Sequence, residues 1–90
     1  METIYVTAEH IAKGNRDAAT DKGDNCAIAL AVKDHFKVTT AHVEPSIIEV
    51  HKGPDDCDVY YLNKKAEAWM ERFDAGEAVE PFAFKIGRPL

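Results

Sequence analysis

KVTTAHVEPSIIEVHK, residues 37–52, is the stretch on which the fold turns. If Pro45 and Ser46 form a two-residue turn, the flanking residues pair as an antiparallel hairpin. Glu44 then faces Ile47, Val43 faces Ile48, His42 faces Glu49, Ala41 faces Val50 and Thr40 faces His51. One face carries Ala41, Val43, Ile48 and Val50; the other carries Thr40, His42, Glu49 and His51. Slipping the pairing by one residue sets His42 against Ile48 and mixes the two faces, so the hydrophobic pattern selects the first register. Pro-Ser is not a favoured hairpin dipeptide. The register therefore rests on side-chain partition rather than on turn chemistry.

Working outward, DVYYL (58–62) reads as a third strand, with Val59 and Tyr61 on one side and Asp58, Tyr60 and Leu62 on the other. HKGPDDCD (51–58) reads as the turn before it. TIYVT (3–7) alternates with Ile4 and Val6 on one face and Thr3, Tyr5 and Thr7 on the other, as a half-buried strand does. In EPFAFKIGR (80–88), Phe82, Phe84 and Ile86 point inward and Ala83 and Lys85 outward.

Three stretches read as helices. TAEHIAKG is short, with Thr7 to cap it and Gly14 to end it. Residues 25–35, CAIALAVKDH after Asn25, are apolar on most sides, which marks a buried helix. NKKAEAWMERFDAG starts at Asn63 and places Ala66, Trp69, Met70 and Phe73 on one stripe, with Gly76 as its natural stop. Residues 15–24 lack periodicity and read as a loop. The order predicts an α+β fold: a mainly antiparallel sheet of four to five strands with the helices packed on one face, in a single compact domain spanning residues 1–90.

Composition narrows the function classes. The chain has 90 residues and a formal charge of −5, with 46% hydrophobic and 30% charged residues, a balance that suits a folded domain. The acidity argues against nonspecific nucleic-acid binding and against anionic membrane surfaces, both of which require basic patches. No apolar run approaches the roughly 20 residues of a membrane span, and the first residues lack the pattern of a secretory signal. The expected location is the cytoplasm, where Cys26 and Cys57 remain free thiols.

The chemistry-bearing residues admit competing readings. Cys26 opens a helix, where a thiol pKa falls, and His42 and His51 follow it on strands, an order shared with cysteine peptidases. Free cysteine is also among the most buried residue types. The hairpin register turns His42 and His51 away from the apolar side, so a buried Cys26 cannot reach them, and a structural thiol is the preferred reading. His42, Glu49 and His51 share one sheet face and are ligand types for zinc. Without motif spacing they read first as an exposed cross-strand charge pair, and no metal ligand set or cofactor is assigned. The cluster Asp55, Asp56 and Asp58 lacks the spaced oxygens of a calcium loop. No phosphate-binding glycine loop, nucleophile elbow or zinc-protease motif is present in the sequence. No catalytic residue is assigned.

The termini carry a resemblance. VTAEHIAKG near the start, a cysteine opening AIALAVKD, and WMERFDAGEAVEPFAFKI near the end occur in this order. The pattern resembles a family of short uncharacterised proteins of actinobacteria and their bacteriophages. It covers most of the chain outside the central hairpin. Ala27 stands where relatives have proline, and no second cysteine precedes Cys26, which weakens a metal-binding cysteine pair there. The resemblance assigns no activity. It implies a phage or prophage accessory protein that binds a host or defence protein. The expected contact surface is Tyr5, His42, Glu49, His51 and Tyr60, with loop 15–24 as a second candidate. A small cysteine-dependent enzyme or ligand-binding protein using Cys26, and an acidic nucleic-acid mimic, remain alternatives. The sequence leaves the oligomeric state open.

Overall fold

The computed structural model describes residues 2–14, 25–44 and 46–89. The candidate loop 15–24 lies outside them. Along the chain run β1 (Glu2–Val6), α1 (Ala8–Lys13), α2 (Ala27–Phe36), β2 (Thr40–Val43), β3 (Ile47–Gly53), β4 (Asp56–Tyr61), α3 (Lys64–Asp74) and β5 (Phe82–Ile86). The fold is α+β, and every strand pairing is antiparallel.

The described strands do not form the single sheet expected. They form a three-stranded sheet, β2-β3-β4, and a two-stranded sheet, β1-β5. β1 and β2 each pack on α2, and no strand of one sheet is hydrogen-bonded to a strand of the other among the described residues. One hydrophobic cluster nevertheless draws on both sheets: Ile4, Val6, Phe84 and Ile86 from one, Ala41, Val43, Ile48, Val50 and Tyr60 from the other.

The hairpin register is the one its side chains dictate. Thr40 pairs with His51, Ala41 with Val50, His42 with Glu49 and Val43 with Ile48. Ala41, Val43, Ile48 and Val50 are buried, so the apolar face is the core face. The Glu44 N–H donates to the Ile47 carbonyl at 2.9 Å, closing the two-residue connection.

Caps define the helices. The Asn63 side chain accepts the Ala66 N–H at 2.8 Å, starting α3. That helix buries Ala66, Trp69, Met70 and Phe73, the stripe read from the sequence. Gly76, at φ +81°, ends it. The Glu77 N–H reaches the Arg72 carbonyl and the Gly76 N–H reaches that of Phe73, each at 3.1 Å, a complete Schellman motif. Helix α2 also ends on a left-handed residue, but without a glycine: Lys37 takes φ 56°, and the Lys33 carbonyl accepts both the Lys37 N–H and the Val38 N–H, the latter at 3.0 Å.

Gly14 does not end α1 through a left-handed turn, since its φ is −67°. Its value is the missing Cβ, which would stand 2.7 Å from the Ala27 nitrogen and 2.9 Å from the Phe73 ring. The close approach of α1, the start of α2 and α3 thus depends on this residue.

Candidate functional site

The outer face of the three-stranded sheet is built by period-two alternation. If Ala41, Val43, Ile48 and Val50 point into the core, their neighbours must point out. His42 comes from β2, Ile47, Glu49 and His51 from β3, and Cys57, Val59 and Tyr61 from β4, each aligned by direct pairing. Among these outward positions of the paired strands there is no lysine or arginine.

Three of the five expected surface residues meet there. His42 and Glu49 are directly opposite, and His51 lies two residues further along β3. Glu49 Oε1 is 3.6 Å from His51 Nε2, and His42 Nε2 is 3.3 Å from Glu44 Oε1. The other two are elsewhere. Tyr5 is exposed, but on β1, where it pairs with Ala83 in the two-stranded sheet. Tyr60 is buried: it pairs with Ile48 on the core face and stacks on Phe36 at 5.6 Å. The correction has a physical cause. Tyr60 and Leu62 share a parity, and together they supply the apolar area that the end of the core requires. Asp58 has the same parity but sits at the rim, where it accepts a hydrogen bond from Lys52 at 2.7 Å. Tyr61, not Tyr60, is the aromatic of the outer face, 67% exposed.

Cys57 was missed by the sequence reading because residues 51–58 look like a turn. The strand begins at Asp56, and a register shift between His51 and Gly53 sets Cys57 directly across from His51. Its Sγ lies 3.9 Å from His51 Nε2. Removal of water by the surrounding protein raises the Cys57 thiol pKa, and the negative charges of Glu49, Asp58 and Asp56 raise it further.

Cys26 is buried at the N-cap of α2, where its sulfur accepts the Ala29 N–H at 3.5 Å. The residue thus caps the helix itself.

The remaining histidines have partners that sequence spacing hides. His10 Nδ1 accepts the Thr7 N–H at 3.0 Å, which leaves the proton on Nε2 to be donated to Asp34 at 2.6 Å. Thr7 Oγ1 lies 3.2 Å from Nδ1 and also accepts the His10 N–H. The hydroxyl, imidazole and carboxylate form a chain, and its first link is a capping box with histidine at the third helical position. The Thr7-x-x-His10 spacing was the available signal. His35 Nε2 pairs with Glu2 at 3.0 Å, tying α2 to β1.

A groove of about 420 Å³ runs between α3 and the chain leading into β5, lined by Trp69, Arg72, Val79, Pro81 and Phe82. Its donors are engaged: the Trp69 indole with the Glu80 carbonyl at 2.9 Å and Arg72 with the Ala78 carbonyl at 3.2 Å.

No helix among the described residues is long and apolar enough to cross a membrane. No family model, curated protein or solved structure matches the chain.

Proposed function

We propose that this chain is a small non-enzymatic binding protein that engages a partner protein through the outer face of β2-β3-β4. The observation that carries the reading is Tyr61, 67% exposed on the face that also holds His42, Glu49, His51 and Cys57. Exposed tyrosine is enriched at interfaces and among the residues that dominate their binding energy. In this reading the helices lie on the core side of the sheet and leave that face open.

The face carries Glu44 and Glu49 and no lysine or arginine at its paired positions, so the complementary partner presents arginine or lysine. Arginine fits best, because its guanidinium both pairs with carboxylates and stacks on tyrosine. The resemblance of the chain ends to phage-encoded proteins makes a host or defence protein the natural target, met in the cytoplasm of an infected or lysogenic cell. The net charge of −5 supports the exclusion of nonspecific nucleic-acid binding.

The test is paired affinity capture from an actinobacterial lysate with the native chain and with Tyr61→Ala, Glu49→Ala and Tyr5→Ala. A stoichiometric partner lost in the first two variants and kept in the third supports the reading. A partner kept by both outer-face variants, or lost only with Tyr5→Ala, rejects it.

A further inference from the structure

The outer face holds a second feature that does not depend on any partner. Glu49 and His51 alternate along β3, and Cys57 stands directly across from His51 on β4. Each offers one ligand atom, and the three atoms lie within 4.8 Å of one another. We propose that Glu49, His51 and Cys57 form a site for a divalent late first-row metal ion, zinc being the best match.

The donor set is the first argument. A carboxylate oxygen, an imidazole nitrogen and a sulfur are the three ligand types that zinc takes, and the mixture disfavours magnesium or calcium, which require oxygen shells. The spacing is the second. Zinc bonds of about 2.0–2.3 Å in a tetrahedron hold neighbouring ligand atoms roughly 3.3–3.6 Å apart. Nε2 of His51 is 3.6 Å from Glu49 Oε1 and 3.9 Å from Cys57 Sγ, two spacings close to those values, and all three ligand atoms lie within 4.8 Å of one another.

Backbone placement is the third. Glu49 and His51 come from the central strand of the sheet and Cys57 from its directly paired neighbour, so strand pairing sets the ligand positions. Cys57 is exposed and the other two are half-buried, which gives the ion access from solvent. The fourth coordination position is then open to water or to a side chain from outside.

A second trio, His42, Glu44 and Glu49, lies alongside and shares Glu49. It has two carboxylates and no sulfur, and is the weaker ligand set for a borderline-soft ion. Binding at the proposed site is balanced simply: Cys57 gives its proton to solvent, its sulfur bonds the ion as thiolate, and no electron is transferred.

The experiment uses the untagged full chain, reduced, titrated with zinc alone by calorimetry and with cobalt(II) as an optical reporter. One equivalent of zinc and a sulfur-to-cobalt charge-transfer band are expected. Cys57→Ser removes the band, and both it and His51→Ala weaken zinc by about tenfold or more, since even outer-shell losses cost that much. His42→Ala leaves affinity and band intact. Circular dichroism confirms that each variant is folded; Cys57 is exposed, so serine is tolerated there. No stoichiometric uptake by the folded native chain overturns the proposal. So does uptake that survives Cys57→Ser and His51→Ala, or that is lost with His42→Ala. Metal uptake is read without any partner, so its failure leaves the partner-binding test standing, and the reverse holds too.

Discussion

Tyr60 and Tyr61 are consecutive in β4 and stand on opposite sides of the three-stranded sheet, 3% and 67% exposed. Tyr60 fills the core against Ile48 and Phe36, whereas Tyr61 enters the face that carries His42, Glu49 and His51. Two chemically identical residues therefore have opposite roles.

Their substitution separates stability from binding. Tyr60→Ala is expected to cost about 3–5 kcal/mol, as for other buried aromatics truncated to alanine. Tyr61→Ala should stay within about 0.5 kcal/mol, as for surface changes in general. Urea denaturation of both variants measures this. Equal losses would contradict the assigned orientations.

The same burial sets an alkaline limit. Burial raises the Tyr60 pKa, and Asp58 raises it further, with Lys52 opposing. The unfolded tyrosine thus loses its proton first as pH rises. Tyr60 contributes stability that is full below its unfolded value of about 10 and is lost as pH climbs through the folded value. Tyr60→Phe should lessen the fall in stability between neutral pH and that range. Melting temperatures across a pH series would show it.

The thiols differ by location. Cys57 should alkylate in the native protein, while Cys26, sealed at the start of α2, should react only on unfolding. Cys57 should nevertheless react more slowly than a peptide thiol at the same pH, because its raised pKa leaves less thiolate. Glu49→Gln removes one of the charges responsible and should speed it. Mass spectrometry of pulse-labelled protein reads both sites together.

Two backbone positions carry opposite predictions. Gly14→Ala forces a Cβ to within 3 Å of the Ala27 nitrogen and the Phe73 ring and should cost about 1–3 kcal/mol, as overpacking does. Lys37→Gly relieves a left-handed residue at the end of α2 and should gain roughly 0.5–1 kcal/mol. Thermal melts of the two variants should move in opposite directions.

The hairpin register was legible because a one-residue slip would have placed His42 against Ile48, and no such ambiguity survives four paired positions. The α3 stripe was legible for a similar reason, since Trp69, Met70 and Phe73 repeat at helical spacing. Strand β4 was legible as a strand but its facing was not, because Val59 and Tyr61 on one side and Tyr60 and Leu62 on the other are both apolar pairs. Only the bulge at His51–Gly53 and the stacking of Tyr60 on Phe36 decide between them. The separation into two sheets and the His10–Asp34 hydrogen bond are long-range consequences of how β1 and α1 meet α2, and no local spacing encodes them.

The central claim is that the outer face of β2-β3-β4 is the working surface, and site-specific photocrosslinking tests it most directly. A benzoylphenylalanine replaces Tyr61 in one variant and Tyr5 in another, each expressed in an actinobacterial host and irradiated. The account predicts a discrete adduct with one host protein from position 61 and none from position 5. An adduct from position 5 alone, or from neither, would contradict it.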